Sequence, residues 1–335
     1  MRNLTLARSI AALGTLAAAG WGGQAYAVEP GSSDPHLPGV SSGVPAGAVA
    51  PPGFYFVNTL AYNDGSLQDG NGNSVSVPAI GLKGINATAW IEIPALVWSA
   101  PFHFAGASFA AAIAQPIVTL SVTTQTAAGA ATVNKTGLFN TVITPVIASW
   151  HLPLGFFVSG NFSVYINDAD NGDRGNGAGS QTHIANNTWT FAPGGAISWF
   201  NGHGLETSIN MEYDIQTQDT NFLPGEKYQS GDILNLDFTA MQVLPGAYKK
   251  WTVGVVGFYS KQVNNDQTTV GGVTRDVAAV PGLRGTGNQF ERAGIGPIVG
   301  YEFGPVAVQA YYIRDVEAKN ATLGDTFFIR FAVPL

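Results

Sequence analysis

Leu205-Glu206-Thr207-Ser208-Ile209-Asn210-Met211-Glu212-Tyr213-Asp214-Ile215-Gln216 decides the fold. Leu205, Thr207, Ile209, Met211, Tyr213 and Ile215 fall on one parity; Glu206, Ser208, Asn210, Glu212, Asp214 and Gln216 fall on the other. A period of two belongs to a β-strand, whose successive side chains point to opposite faces. Soluble strands usually run about 5–6 residues. This longer alternation, apolar on one face and acid-rich on the other, suits a tilted strand crossing a bilayer.

The same period recurs along the chain. Ile85, Ala87, Ala89, Ile91 and Ile93 alternate with Asn86, Thr88, Trp90 and Glu92. Leu234, Leu236, Phe238 and Ala240 alternate with Asn235, Asp237 and Thr239, and Phe327, Ile329, Phe331, Val333 and Leu335 with Thr326, Phe328 and Arg330. Twelve strands are predicted, near 53–63, 84–97, 102–120, 137–150, 153–166, 186–200, 203–217, 231–244, 249–262, 290–303, 305–317 and 324–334. Short connections at Ser99–Pro101, His151–Leu152, Asn201–Gly202, Pro245–Tyr248 and Gly304 alternate with longer ones at 64–83, 121–136, 167–185, 218–230, 263–289 and 318–323. An even strand count with alternating short and long connections predicts a transmembrane antiparallel up-and-down β-barrel, its turns periplasmic and its loops extracellular. Pro116, Pro145, Pro193 and Pro297 sit inside predicted strands, where bulges or kinks are expected. The apolar run from Ala95 to Val118 is long enough for a membrane helix, but Pro101, Gly106 and Pro116 interrupt it and no second such run follows.

The N-terminus reads as targeting. Arg2 and Arg8 precede a short apolar core from Ile10 to Ala19, and Ala25-Tyr26-Ala27 is a cleavage signature. The expected division is a cleaved signal peptide at 1–27, a Pro/Gly-rich periplasmic or lumenal leader at 28–52, and an outer-membrane β-barrel at 53–335. Composition agrees with export to the bacterial outer membrane: 11% of residues are charged, 42 of 335 are glycine, and there is no cysteine. The formal charge is −7, and −9 once Arg2 and Arg8 are removed. With no basic run, nucleic acid is not an expected partner. The expected partners are outer-membrane lipid, the barrel-assembly machinery during insertion, and a small solute.

Trp98, Trp150, Trp199 and Trp251 each lie close to a predicted short turn. Tryptophan favours the membrane–water boundary, so these four are expected to form a periplasmic-side interface girdle. If the apolar parity faces lipid, the lumen and solute path are lined by Asn86, Trp90, Glu92, Glu206, Asn210, Glu212, Asp214, Asp237, Glu302 and Arg330. Acids outnumber the single base, which suggests a cation preference or a carboxylate–Arg330 constriction. A solvated, paired filling is the structural alternative for these residues.

No cofactor or metal is expected. The five histidines, His36, His103, His151, His183 and His203, lack metal-ligand spacing. Asn167-Asp168-Ala169-Asp170-Asn171-Gly172-Asp173 clusters oxygens but misses the calcium-loop register, and reads as a solvated loop. Neither a Gly-x-Ser-x-Gly word nor the His-x-Ser-Asn-type word of outer-membrane phospholipases occurs, so an enzyme is not expected.

From Pro51 to Leu335 the chain resembles the MetA-pathway phenol-degradation family of outer-membrane channel proteins. The words that carry the likeness are Pro51-Pro52-Gly53-Phe54-Tyr55-Phe56-Val57-Asn58, Trp189-Thr190-Phe191-Ala192-Pro193, Tyr228-Gln229-Ser230-Gly231-Asp232, Trp251-Thr252-Val253-Gly254 with Gly257-Phe258-Tyr259, Gly294-Ile295-Gly296-Pro297 and Gly324-Asp325-Thr326-Phe327. Ala192 departs from an acidic residue expected there. The resemblance implies that the strand prolines are family features. It also implies passive uptake of small hydrophobic or aromatic molecules, linked to a catabolic pathway. The competing expectation is a plugged structural or binding barrel acting through its extracellular loops.

Overall fold

The computed structural model describes residues 34–78, 81–170, 184–185, 187–223, 225–277 and 289–335. The signal-peptide reading, His183 and the end of the 167–173 stretch lie outside the described residues.

Among the described residues eighteen strands follow one another: β1 (Gly53–Leu67), β2 (Leu82–Phe104), β3 (Ala107–Ala114), β4 (Ile117–Thr126), β5 (Gly129–Leu138), β6 (Val142–His151), β7 (Phe156–Tyr165), β8 (Thr190–Phe200), β9 (Leu205–Gln216), β10 (Asp219–Leu223), β11 (Glu226–Gln229), β12 (Ile233–Val243), β13 (Trp251–Gln262), β14 (Gln267–Val270), β15 (Val273–Asp276), β16 (Glu291–Phe303), β17 (Val306–Lys319) and β18 (Thr322–Pro334). Fourteen form one antiparallel sheet, and β1 pairs with both β2 and β18, which closes it. The first turn-side half of the next stave is β3 and its continuation is β4: β2 pairs with β3 through Ala95–Phe104 and with β4 through Leu82–Glu92. β5 and β6 lie end to end in the same way, against β4 and β3. Merging these two pairs leaves twelve staves, the predicted closed up-and-down barrel.

Proline accounts for the irregular staves, because it has no N–H for the ladder. The β3–β4 break falls at Gln115–Pro116. At Pro145 the register shifts against both neighbours, which makes a bulge in β6. Pro193 and Pro297 keep register: β8 pairs with β9 at Phe191↔Ile215 and Gly194↔Glu212, and β16 with β17 at Ile295↔Arg314 and Ile298↔Tyr311.

Three predicted boundaries are corrected. The turn expected at Ser99–Pro101 is strand; β2 runs to Phe104 and turns at Ala105 (φ 51°) and Gly106 (φ 77°). A register shift between Ser99 and His103 accommodates Pro101, and two left-handed residues then make a tight hairpin turn. The loop expected at 121–136 is mostly the β4–β5 hairpin. Its outer face is polar, with Thr119–Thr136, Ser121–Asn134 and Thr123–Thr132 side-chain hydrogen bonds, so no apolar stripe advertised it. The expected loops 218–230 and 263–289 contribute a separate four-stranded sheet, β10-β11-β14-β15. Tyr228 ties this sheet to the barrel rim by donating to Asp266 (2.5 Å), whose other oxygen accepts the Gly231 N–H (2.8 Å).

On β9 the faces divide as their period requires. Ile209, Met211 and Ile215 are exposed outside, whereas Ser208, Glu212, Asp214 and Gln216 are buried inside. The barrel interior also holds two apolar clusters, one around Leu82, Ile85, Ala87, Ala89, Val118 and Leu120, the other around Phe258, Tyr311, Ile313 and Phe328.

Candidate functional site

Residues 34–52 of the leader occupy the lumen. Residues 34–52 form a chain of turns rather than a strand, so their backbone groups need partners from the barrel wall. Asp237 on β12 accepts from the Gly39 N–H (2.9 Å), the Ser41 N–H (2.9 Å) and the Ser41 hydroxyl (2.6 Å). The Gly43 N–H donates to Thr239 Oγ1 (2.7 Å) and the Gly47 N–H to Ser198 Oγ (2.9 Å). Wall hydroxyls return the contact: Ser149 donates to the Gly47 carbonyl, Ser159 to Ala46 and Ser99 to Ala50. Glycine is required by this close seating. Gly39 has φ +82°, and a Cβ there would lie 2.6 Å from Ile313 Cδ1.

Arg330, buried on β18, grips the same segment. Its guanidinium donates to the Ser42 carbonyl (2.7 Å), the Val40 carbonyl and the Tyr311 hydroxyl (2.9 Å), and its Nε to Thr59 (3.1 Å). The expected carboxylate–Arg330 constriction is therefore corrected. Among the described residues Arg330 serves leader carbonyls, because the leader sits where a carboxylate partner would have to be.

His36 joins the leader to the acidic wall. Its Nδ1 lies 3.1 Å from Glu212 and its Nε2 3.6 Å from Asp237. The Tyr165 hydroxyl donates to the same Glu212 oxygen (2.6 Å), Asn210 donates to Ser41 Oγ (2.9 Å), and Asn235 donates to Asp214 (2.9 Å). Burial alone would lower the His36 pKa; the Glu212 and Asp237 carboxylates outweigh it and raise it well above the ordinary imidazole range. Burial pushes the Asp34 carboxyl up to about 7, against the opposing pull of His36.

The lumen thus brings together Asn210, Glu212, Asp214, Asp237 and Arg330. Glu206 lies nearer the turns, beside Ser208 (3.3 Å). Glu302 is exposed at the turn end of β16, away from this network. Asn86, Trp90 and Glu92 are on the outer face of β2: Trp90 packs on Tyr62 (ring centroids 4.7 Å apart) and Glu92 accepts from Asn58 (2.9 Å). This corrects their lumen placement. On β2 the inward residues are the apolar Ile85, Ala87, Ala89 and Ile91, so an apolar parity does not by itself identify the lipid side. Trp98, Trp150, Trp199 and Trp251 all point outward at the turn end, where Trp150 and Trp199 donate to the Ala105 and Leu154 carbonyls. Asp34, Tyr165 and Tyr311 escaped the sequence reading, and His36 was weighed there only as a metal ligand; the Pro/Gly-rich leader was the signal available for Asp34 and His36.

Between leader and wall lies a partly open cavity of about 320 Å³, in the size range of small-molecule sites. Ile91, Ile93, Val118, Leu120, Phe139, Val142 and Ile147 make its apolar side. Asp34, His36, Asn161, Tyr165, Asn210 and Glu212 make its polar end. Ala192, where an acid was expected, is fully buried on β8. Such a space holds a compact apolar body with one polar handle.

Comparison with known proteins places this architecture. An outer membrane channel from Pseudomonas putida F1 is similar over 86% of this chain and 97% of its own, with a TM-score of 0.66 at 11% sequence identity. A FadL homologue from Pseudomonas aeruginosa (84% and 90% covered, TM-score 0.44, 9% identity) and the CymD monoaromatic hydrocarbon channel (85% and 89%, 0.40, 8%) are looser likenesses and carry no argument. No curated protein sequence matches. The family described as "Putative MetA-pathway of phenol degradation" matches residues 65–331. That match covers most of the chain, and the protein belongs to this family of phenol-degradation pathway proteins.

Proposed function

We propose that this outer-membrane β-barrel is a channel for passive entry of small hydrophobic or aromatic molecules that feed a catabolic pathway. The observation that carries the reading is the lumen cavity, apolar on the β2–β6 side and polar at the leader. The family's description supports the catabolic link. The four outward tryptophans are assigned to the periplasmic membrane boundary, and lipid and solute are the partners. No catalytic role is assigned: Ser108 and His103 do hydrogen-bond (3.1 Å), but the pair is exposed at a hairpin turn, and no carboxylate orients the imidazole among the described residues.

The seated leader favours a second reading, a plugged barrel that acts through its outer loops. Proteoliposome swelling separates the two. The channel reading predicts faster swelling with aromatic solutes than with sugars of equal size, and loss of that preference when residues 28–52 are deleted. Absence of swelling with any solute, in both the full chain and the deletion, would overturn it in favour of the plugged barrel.

A further inference from the structure

We infer that the rim of the barrel carries a saccharide-binding site, built where the Gln229–Asp232 stretch meets the separate four-stranded sheet. The site lies at the end of the barrel opposite the four tryptophans. It is independent of what passes through the lumen.

The stretch Tyr228-Gln229-Ser230-Gly231-Asp232 takes no part in the lumen network. Gln229 to Asp232 instead line a second cavity of about 370 Å³, in the size range of small-molecule sites. Its other walls are Asn264, Asn265, Gln267, Asp276 and Gln289. Among the described residues neither an apolar nor a basic side chain lines it. A hydrocarbon would gain no apolar contact there, and an anion would meet two carboxylates with no cation beside them. The lining fits a neutral ligand that is polar over its whole surface.

The hydrogen bonds narrow the class. The floor is fixed by the buried Asp266 carboxylate, which accepts from the Tyr228 hydroxyl (2.5 Å), the Gly231 N–H (2.8 Å) and the Gln262 amide (2.7 Å). Along the walls the amides donate to one another and to the acids. Gln289 donates to Asn265 (3.2 Å), Asn265 and Gln267 donate to Asp276 (3.0 and 3.2 Å), and Asn264 donates to Asp232 (3.2 Å). Among the described residues this leaves the side-chain carbonyl oxygens of Gln267 and Gln289, and the Oδ1 of Asp232, without a protein partner. Each amide also keeps a second N–H. Open acceptors beside spare donors suit hydroxyl groups, which both donate and accept. A ring bearing several hydroxyls presents them at the spacing of planar amide and carboxylate groups. A hard cation suits the cavity less well: both Asp276 oxygens already accept from amides, and Oδ2 of Asp232 accepts from Tyr213 (3.1 Å) and Asn264. The sugar can come from a free saccharide or from the head of an outer-leaflet glycolipid.

The test is calorimetric titration of the full chain, held in a detergent without a sugar head. The probes are maltotriose, the deacylated core oligosaccharide of lipopolysaccharide, and calcium chloride. A saccharide is expected to bind with a Kd of about 1 mM or tighter. Asp232→Ala should weaken it about tenfold or more, the worth of a hydrogen bond to a charged acceptor. Gln267→Ala should weaken it about threefold, the worth of a neutral one. Gln267 is exposed, and the backbone pairing of β14 with β11 and β15 does not need its side chain, so this variant keeps the rim sheet. Binding of the core oligosaccharide alone makes the glycolipid head the ligand; binding of maltotriose makes it a free saccharide. Absence of binding by both saccharides, with or without calcium binding, overturns the inference, and so does saccharide binding that both variants leave unchanged.

Discussion

Removing the Asp237 carboxylate should unseat the leader without opening the barrel. Asp237→Ala deletes three hydrogen bonds, from the Gly39 N–H, the Ser41 N–H and the Ser41 hydroxyl, together with the charge facing His36 at 3.6 Å. Hydrogen bonds to a charged acceptor contribute about 1.5–3 kcal/mol each. The three share one acceptor, so they are not additive, and water that enters the loosened lumen recovers part of the loss. A net cost of about 2–4 kcal/mol follows, a roughly 30- to 1,000-fold rise in local opening. Amide hydrogen exchange read by mass spectrometry should show lost protection in residues 34–47, while peptides from β12 and β13 stay protected by their ladders. Unchanged leader protection would refute the view that Asp237 anchors the segment. Equal loss across the barrel strands would refute the separation of leader from wall.

Arg330→Met should act in the same direction, since it removes the donors to the Ser42 and Val40 carbonyls; leader proteolysis in the folded barrel should accelerate at least tenfold for a loss of about 1.4 kcal/mol or more. The His36 pKa is raised in the folded state, so its contribution is complete below about pH 6.5, the unfolded imidazole value, and is lost as pH rises through the folded pKa. Asp34, raised to about 7, also loses stability with rising pH, but in the window from its ordinary carboxylate value up to about 7. Leader protection against protease should therefore decline on alkalinisation above neutrality, and His36→Gln should flatten that decline; a profile identical in the variant would count against the imidazole. Ile209→Arg places a charge on the outer face of β9, where Ile209 is 52% exposed, at a cost of about 2–4 kcal/mol if it lies near the bilayer centre; heat-modifiable gel migration after refolding into vesicles should show less folded barrel, and full folding would contradict the assigned lipid face.

The fold was legible because a two-residue period, sustained over β9, β12 and β18, leaves little room for another architecture. Lumen parity was less secure. On β9 it was readable because one face carries Glu206, Glu212 and Asp214, which lipid would not admit. On β2 both faces carry bulk: Trp90 outside and Ile91 inside are each apolar, and only the three-dimensional structure separates them. The β4–β5 hairpin went unseen because Thr119, Ser121 and Thr123 on one face and Thr132, Asn134 and Thr136 opposite bond to each other in place of apolar packing. The site was half legible. Glu212, Asp237 and Arg330 stood out as charges at inward positions, but Glu212 meets the leader's His36 side chain, and the partners of Asp237 and Arg330 are largely amides and carbonyls of the leader. Backbone groups leave no signature in a sequence; only Gly39, Gly43 and Gly47, spaced by four along a Pro-rich stretch, hinted that this segment fits a tight space.

Stopped-flow influx of an aromatic alcohol into proteoliposomes, compared between the unaltered protein and Ile91→Trp, tests the central claim most directly. Ile91 lines the cavity, and an indole there fills the space while the β1–β2 and β2–β4 ladders remain. The account predicts that influx falls sharply in a barrel that still migrates as folded. Influx unchanged by the filled cavity would mean that solute does not pass through it.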